Sequence, residues 1–318
     1  MKNQTYIYNV NYSEYEETLC AIENRALFNT QLKEKIFFSD VKVNPSVSAF
    51  IKNRFKIIYK TSTFEDLLSY IEQDENLETD FIVKYMKMVS GDPYAASRNS
   101  LCKKIASQFK QSPNYESPKI TYGVTFYQDE WYFGVLVKNN SQWREHNNRP
   151  YTYSNSLKIN MAKVLINVAG RGDLSTTIID PCCGAGTVLL EGCFAGYTIT
   201  GSDISWKTAK NAAANLEHFG YKAQVNHQAI QDISEHYDCS IIDLPYGLYS
   251  QTTPEDQSMI IRNAKRISDR VVVISSEDIT DLLANEHLEI VDSCKFIKST
   301  NRKFARYIWV CEHSSEKG

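Results

Sequence analysis

The stretch Thr177–Gly192, TIIDPCCGAGTVLLEG, decides how this chain is read. A short run suited to a buried strand ends in a carboxylate, Asp180, and a Gly184-Ala185-Gly186 turn leads into a helix predicted from Thr187. Glycine lets the backbone turn sharply and approach a ligand, and a helix N-terminus offers free N–H groups. A nucleotide-like ligand is implied. Asp203 ends the next predicted strand, 19 residues beyond Gly184, where a carboxylate accepts hydrogen bonds from both ribose hydroxyls.

Three readings of this turn stand. A dinucleotide fingerprint wants a third glycine where this chain has Leu189, and a strand-terminal Asp-Pro is foreign to it. In S-adenosylmethionine enzymes the turn cradles the methionine moiety and an acidic residue near the strand end helps hold it. A tight turn without any ligand is opposed by the register of Asp180, Gly184, Gly186 and Asp203.

Outward from this turn, candidate strands Thr177–Asp180, Thr198–Asp203, Ala223–His227, Cys239–Asp243 and Arg270–Ser275 alternate with helical stretches. The helices are Ser156–Ala169, Thr187–Ala195, Ser205–Phe219 and Pro254–Ile267. This repetition predicts an α/β, doubly wound, Rossmann-like sheet with ligands at the carboxyl ends of its strands. Leu288–Lys298 and Phe304–Glu312 have no helix between them and read as an antiparallel edge hairpin.

The first 150 or so residues mix strands and helices in an α+β pattern that suggests two small lobes. Asn139–Asn155 is polar, aperiodic and carries Pro150, so it reads as the linker. The expected domains are 1–148 and 149–318.

Two strands beyond the glycine turn lies Ser240–Gly247, SIIDLPYG. A buried-type strand ends in Asp243, and a Pro-constrained backbone then presents Tyr246. These residues suit methylation of an exocyclic amine on a planar base. The lone pair of such a nitrogen is delocalised into the ring, so acceptors must hold its N–H groups while the lone pair is turned toward the methyl donor. Asp243 supplies a carboxylate oxygen and Leu244 a main-chain carbonyl, whose direction Pro245 helps fix. Tyr246 stacks on the base, a contact worth about 1–3 kcal/mol in single-strand recognition.

Composition sets the frame. The 318 residues are 42% hydrophobic and 23% charged, which excludes a disordered chain. Apolar runs such as Val271–Ile274 are far too short to span a bilayer, and the N-terminus is too polar and acidic for a leader, so a cytoplasmic location is expected. The eight cysteines are scattered without a paired CxxC, so no metal site is expected and the thiols read as small hydrophobes.

The net charge of −3 conceals an uneven distribution. Residues 81–150 hold 10 Lys and Arg against 5 Asp and Glu. There Lys84, Arg98, Lys103, Lys104, Arg144 and Arg149 are interleaved with aromatic residues, the make-up of a phosphate-backbone surface. They are the candidate RNA-binding residues.

The motifs DPCCGAGTVLLEG, GSDIS, NAAANLEHFG and IIDLPYG, in this order and spacing, resemble the THUMP-containing tRNA guanine-N2 methyltransferases, which use a Rossmann-like domain and S-adenosylmethionine. The resemblance is close over residues 149–247. Across the N-terminal region it implies a ferredoxin-like lobe followed by a divergent THUMP-like lobe that grip the tRNA acceptor stem.

The resemblance further implies that Asp180, Gly184, Gly186 and Thr187 line the methionine side, with Cys182 in the same turn, and that Asp203 and Ile204 flank ribose and adenine. Asp243, Leu244, Pro245 and Tyr246 then form the guanine pocket. Gln228 stands where many members carry an Asp that accepts the adenine 6-amino group, a role open to its amide oxygen. Leu244 replaces the first proline of the common amino-methylase pattern, which favours guanine N2 over adenine N6. The competing expectations are N6-adenine methylation of RNA or DNA and an RNA-binding protein with a lapsed active site.

Overall fold

The computed structural model describes residues 4–153, 156–244, 253–297 and 305–314. Its elements begin with β1 (Tyr6–Val10), α1 (Glu17–Phe28), β2 (Ile36–Ser39), β3 (Ile51–Thr61), α2 (Phe64–Gln73), β4 (Phe81–Tyr85), α3 (Arg98–Ala106), β5 (Ile120–Tyr127) and β6 (Glu130–Lys138). They continue with α4 (Ile159–Gly170), β7 (Thr177–Asp180), α5 (Thr187–Ala195), β8 (Thr198–Asp203), α6 (Trp206–His218) and β9 (Gln224–His227). The last are β10 (Tyr237–Asp243), α7 (Pro254–Ile267), β11 (Ser268–Ser275), α8 (Thr280–Asn285), β12 (Leu288–Ile297) and β13 (Ala305–His313).

Contacts divide the chain into two compact units. The first comprises Met1–Asn11, Lys33–Ser46 and Phe50–Asn140, and the second Tyr12–Leu32, Val47–Ala49 and Ser141–Gly318. This division departs from the expected boundary at 148/149, because α1 and the polar stretch after Asn140 pack with the C-terminal unit.

The first unit holds one six-stranded sheet, ordered β2-β1-β3-β6-β5-β4. The sequence suggested two lobes, but the long strand β3 pairs with β1 through Ile51–Lys56 and with β6 through Asn53–Thr61, joining all six strands. β4 and β5 are parallel and connected through α3. Thr63 caps α2 by accepting from Asp66 N at 3.2 Å, and Leu67 and Ile71, four residues apart, enter the core with Leu101, Ile105, Phe81 and Phe133.

The second unit holds a seven-stranded sheet, ordered β12-β13-β11-β10-β7-β8-β9. The run β9-β8-β7-β10-β11 is parallel. The expected C-terminal hairpin is present, but β13 is inserted antiparallel between β11 and β12, so only β12 forms the edge. Val271–Ile274 of β11 is buried at every position, as a strand covered by helices on both faces must be. The capping box Thr253–Asp256 and Pro254 at the first helical position start α7, whose Ile261 and Ala264 pack on Val271 and Val273.

Asn139–Asn155 is not a free linker. Gln142–Asn148 forms a 3₁₀ run that buries Trp143 and His146. His146 Nδ1 lies 2.5 Å from Glu191 Oε1, and its Nε2 lies 3.0 Å from the Tyr221 hydroxyl. Lys163 of α4 donates to the other Glu191 oxygen at 3.1 Å, so one buried carboxylate ties α4, α5 and this turn together. α1 is held in a similar way: buried Glu23 accepts from Ser48 Oγ at 2.5 Å and from Asn167 Nδ2 at 2.7 Å. Arg25 of α1 also makes a bidentate pair with Asp292 at 2.8 and 2.9 Å.

Candidate active site

Asp180, Asp203 and Asp243 are the last residues of β7, β8 and β10. Because β7 lies between β8 and β10, the chain leaves it on one side and returns on the other, opening the crevice where open α/β sheets bind ligands. The glycine turn fills the start of this crevice. Gly184 and Gly186 have φ of 53° and 74°, the left-handed region that penalises any Cβ. A Cβ on Gly186 would also sit 3.1 Å from Ala212 Cβ, so glycine lets α5 begin directly against α6.

Hydrogen bonds lock the turn. Asp203 accepts from Gly184 N at 3.1 Å through Oδ2 and from Ser205 N at 2.9 Å through Oδ1. Cys183 N donates to Ser202 O at 2.9 Å and Gly186 N to Cys183 O at 2.8 Å. From α6, fully buried Asn215 donates to Ala185 O and Tyr151 O at 2.8 Å each and accepts from Tyr151 N at 2.9 Å. Asn215 thus clamps the turn and the segment leading into α4, a role missed in the sequence. Its signal was a polar side chain among Ala209, Ala212 and Leu216 on the buried face of α6.

Electrostatically the crevice is acidic. Burial pushes the Asp180 carboxyl up to about 8, aided by the nearby charges of Asp243 and Asp203 and opposed by a hydrogen bond from Cys182 N. Burial also pushes the Cys182 thiol up to about 12 and the Cys183 thiol well above its ordinary value, so neither is a thiolate nucleophile at neutral pH. Among the described residues, no group of three or more His, Cys, Asp and Glu is placed to hold a metal ion.

The remaining expected positions fall as follows. Thr187 is buried at the start of α5, and Ile204 is 73% exposed immediately after Asp203. Gln228 donates through Nε2 to Asp232 O at 2.7 Å, which directs its amide oxygen elsewhere, and its own N–H binds Asp203 O at 3.1 Å. The Leu244 side chain is buried in the core and its N–H donates to Ile274 O at 3.0 Å. Pro245 and Tyr246 lie outside the described residues.

Arg306 of β13 was not among the candidate residues. It is buried, and its Nη1 lies 3.7 Å from Asp243 Oδ1. The signal was a charged residue in period-two register with buried Ile308 and Val310.

The basic candidates separate into two groups. Lys84 on β4 and Arg98, Lys103 and Lys104 on α3 are exposed in the first unit, while Arg144 and Arg149 belong to the second. Arg149 is half-buried and donates to His146 O at 3.1 Å, bracing the 3₁₀ run. Without the acidic stretch Tyr12–Leu32, the first unit holds 16 Lys and Arg against 13 Asp and Glu.

A parallel core with an antiparallel strand inserted near its edge, and acidic residues around a glycine turn at its switch point, make this unit a Rossmann-like α/β fold with a ligand crevice. Residues 146–293 match the UPF0020 family, described as the RMKL-like methyltransferase domain. A tRNA (guanine(10)-N2)-dimethyltransferase of Methanothermobacter thermautotrophicus is 29% identical over 133 residues, 40% of this chain and 39% of the relative. Another of that name, from Methanocaldococcus jannaschii, is 24% identical over 260 residues, 74% of this chain and 70% of the relative. The chain thus spans about two fifths of the first relative's length. Among solved structures, TrmN from Thermus thermophilus aligns with a TM-score of 0.46 at 14% identity, covering 97% of this chain and 99% of that one.

Proposed function

We propose that this protein is an S-adenosylmethionine-dependent methyltransferase that modifies the exocyclic N2 of a guanine in tRNA. The observation that carries the reading is the set of strand-terminal carboxylates around the glycine turn, in a region that matches a methyltransferase family. The relatives' names supply the substrate. A cytoplasmic location accords with tRNA as substrate, and no described helix is long and apolar enough to cross a membrane.

The crevice fits the cofactor by charge. S-adenosylmethionine is cationic at its sulfonium and amino groups, whereas a dinucleotide brings two phosphates toward Asp180, Asp203 and Asp243. Asp180, the backbone of Cys182–Gly186 and Thr187 would hold the methionine part, Asp203 the ribose, and Ile204 and Gln228 the adenine. When bound, the cofactor supplies an electrophilic methyl group on sulfur.

The chain's own residues orient the base. Asp243 and the Leu244 carbonyl accept the two N–H groups of the amine, turning its lone pair out of conjugation, and Pro245 and Tyr246 are assigned the rigid approach and the stacking face. The reading of the N-terminal region as the part that holds tRNA rests on the sequence resemblance and on the basic residues of the first unit.

The test is incubation of purified protein with methyl-labelled cofactor and tRNA, followed by digestion to nucleosides. Label in N2-methylguanosine supports the proposal, and label in N6-methyladenosine replaces it with the adenine reading.

Two further results are expected. Below pH 8, Asp180 is largely protonated in the free protein, and a cationic ligand favours its ionised form. Binding therefore releases a proton, and affinity rises with pH up to about 8, by at most about tenfold per unit. Titration calorimetry in buffers of different ionisation enthalpy detects that proton, and an affinity constant from pH 6 to 8 would contradict the assignment. Replacing Lys103 and Lys104 together by Glu should weaken tRNA binding and lower the salt slope by about two, with cofactor affinity unchanged. An unaltered slope removes α3 from the RNA surface.

A further inference from the structure

Arg306 lies where the strand register brings β13 over the carboxyl edge of the parallel sheet. Asp243 of β10 pairs with Ile274 of β11, which pairs with Ile308 of β13, and Arg306 is two residues further toward that edge. It is 5% exposed, and burial pulls its guanidinium below its ordinary proton affinity while the charge of Asp243 opposes that shift. A cation so poorly hydrated is tolerated only beside an opposite charge, here the Asp243 carboxylate at 3.7 Å.

The surroundings of Asp243 explain the need. Asp243 and Asp203 are close enough that their charges help to raise the Asp180 carboxyl, and all three carboxylates act on the Cys182 thiol. A neighbouring cation favours the ionised form of a carboxyl group, which accepts hydrogen bonds as the reaction needs, whereas the protonated form donates one. Arg306 is placed to give Asp243 this support, with its Nη1 3.7 Å from Oδ1.

We propose that Arg306 is a positioning residue for methyl transfer: it keeps Asp243 ionised and holds its Oδ1, so that the other lone pairs of the carboxylate face the amine of the base. The inference rests on the reading of Asp243 as the acceptor for that amine. It adds a determinant on β13, outside the glycine turn and the DLPYG stretch.

The test compares Arg306→Met, Arg306→Lys and Asp243→Ala as purified full-length proteins, with tRNA from a strain lacking the gene as substrate. Arg306→Met should lower kcat about 100-fold, leave cofactor affinity and KM for tRNA within about threefold, and move the acidic limb of the kcat–pH profile up by about one unit or more. Arg306→Lys, which keeps the charge, should recover to within about tenfold of the natural protein and restore the limb. Carbon-13 carboxyl signals in Asp-labelled protein should show the Asp243 titration displaced upward in the methionine variant.

A loss of rate with an unmoved pH limb and an unmoved Asp243 signal would overturn the proposal in favour of a purely structural role. Full activity in Arg306→Met while Asp243→Ala is inactive would also overturn it and leave the reading of Asp243 intact. Full activity in Asp243→Ala would show instead that the reading of Asp243 had failed.

Discussion

Asp243→Ala is expected to lower kcat by about a thousandfold or more while the Kd for S-adenosylmethionine changes by less than about threefold. The carboxylate stands at the end of β10 and faces the base rather than the cofactor in the proposed arrangement. A delocalised amine reacts only when its N–H groups are held out of conjugation, so removing one acceptor leaves both molecules bound but unreactive. Single-turnover rates and calorimetry on one preparation separate the two effects. Loss of cofactor binding with an unchanged rate at saturation would place Asp243 in the other half of the crevice.

Asp203→Ala should act in the opposite way, raising the cofactor Kd by about 100-fold or more. In the proposed arrangement Asp203 does two jobs. Its oxygens fix the glycine turn through Gly184 N and Ser205 N at 3.1 and 2.9 Å, and their remaining lone pairs are available to ribose hydroxyls. Hydrogen bonds to a charged group are worth about 1.5–3 kcal/mol each, so losing two accounts for an effect of that size. Asp203→Asn keeps one acceptor and should fall between. Calorimetry with S-adenosylhomocysteine measures both, and an unchanged Kd in the alanine variant would exclude Asp203 from the cofactor site.

Much of the catalytic unit was legible in the sequence. β7, β8, α5 and α7 have the predicted bounds, because the strands open on β-branched residues and end on a carboxylate, and α7 carries the strong start signal Thr253-Pro254. Contacts distant in sequence were not legible. Nothing local in α1 says that Glu23 meets Asn167 or that Arg25 meets Asp292, so this helix was assigned to the wrong unit. The pairing of β3 with β6 is equally non-local and turned two expected lobes into one sheet.

The segment around Trp143 and His146 was misread for another reason. Two anchor residues in a polar stretch make no periodic pattern, yet one aromatic ring and one buried imidazole are enough to fix it. Asn215 and Arg306 share a different signature, a polar or charged side chain at a position whose register is apolar. In α6 and β13 these residues stand beside the glycine turn and Asp243. Breaks in an otherwise regular core pattern therefore mark the surroundings of this site, as expected where function competes with packing.

The most direct test of the central claim is nucleoside mass spectrometry, mapped to position, on tRNA from a strain lacking the gene, before and after treatment with the purified protein and S-adenosylmethionine. The account predicts one guanine whose N2 methylation is absent in that tRNA and restored by the protein but not by its Asp243→Ala variant. Restoration of methyl groups on adenine, or no change at any guanine, would contradict it.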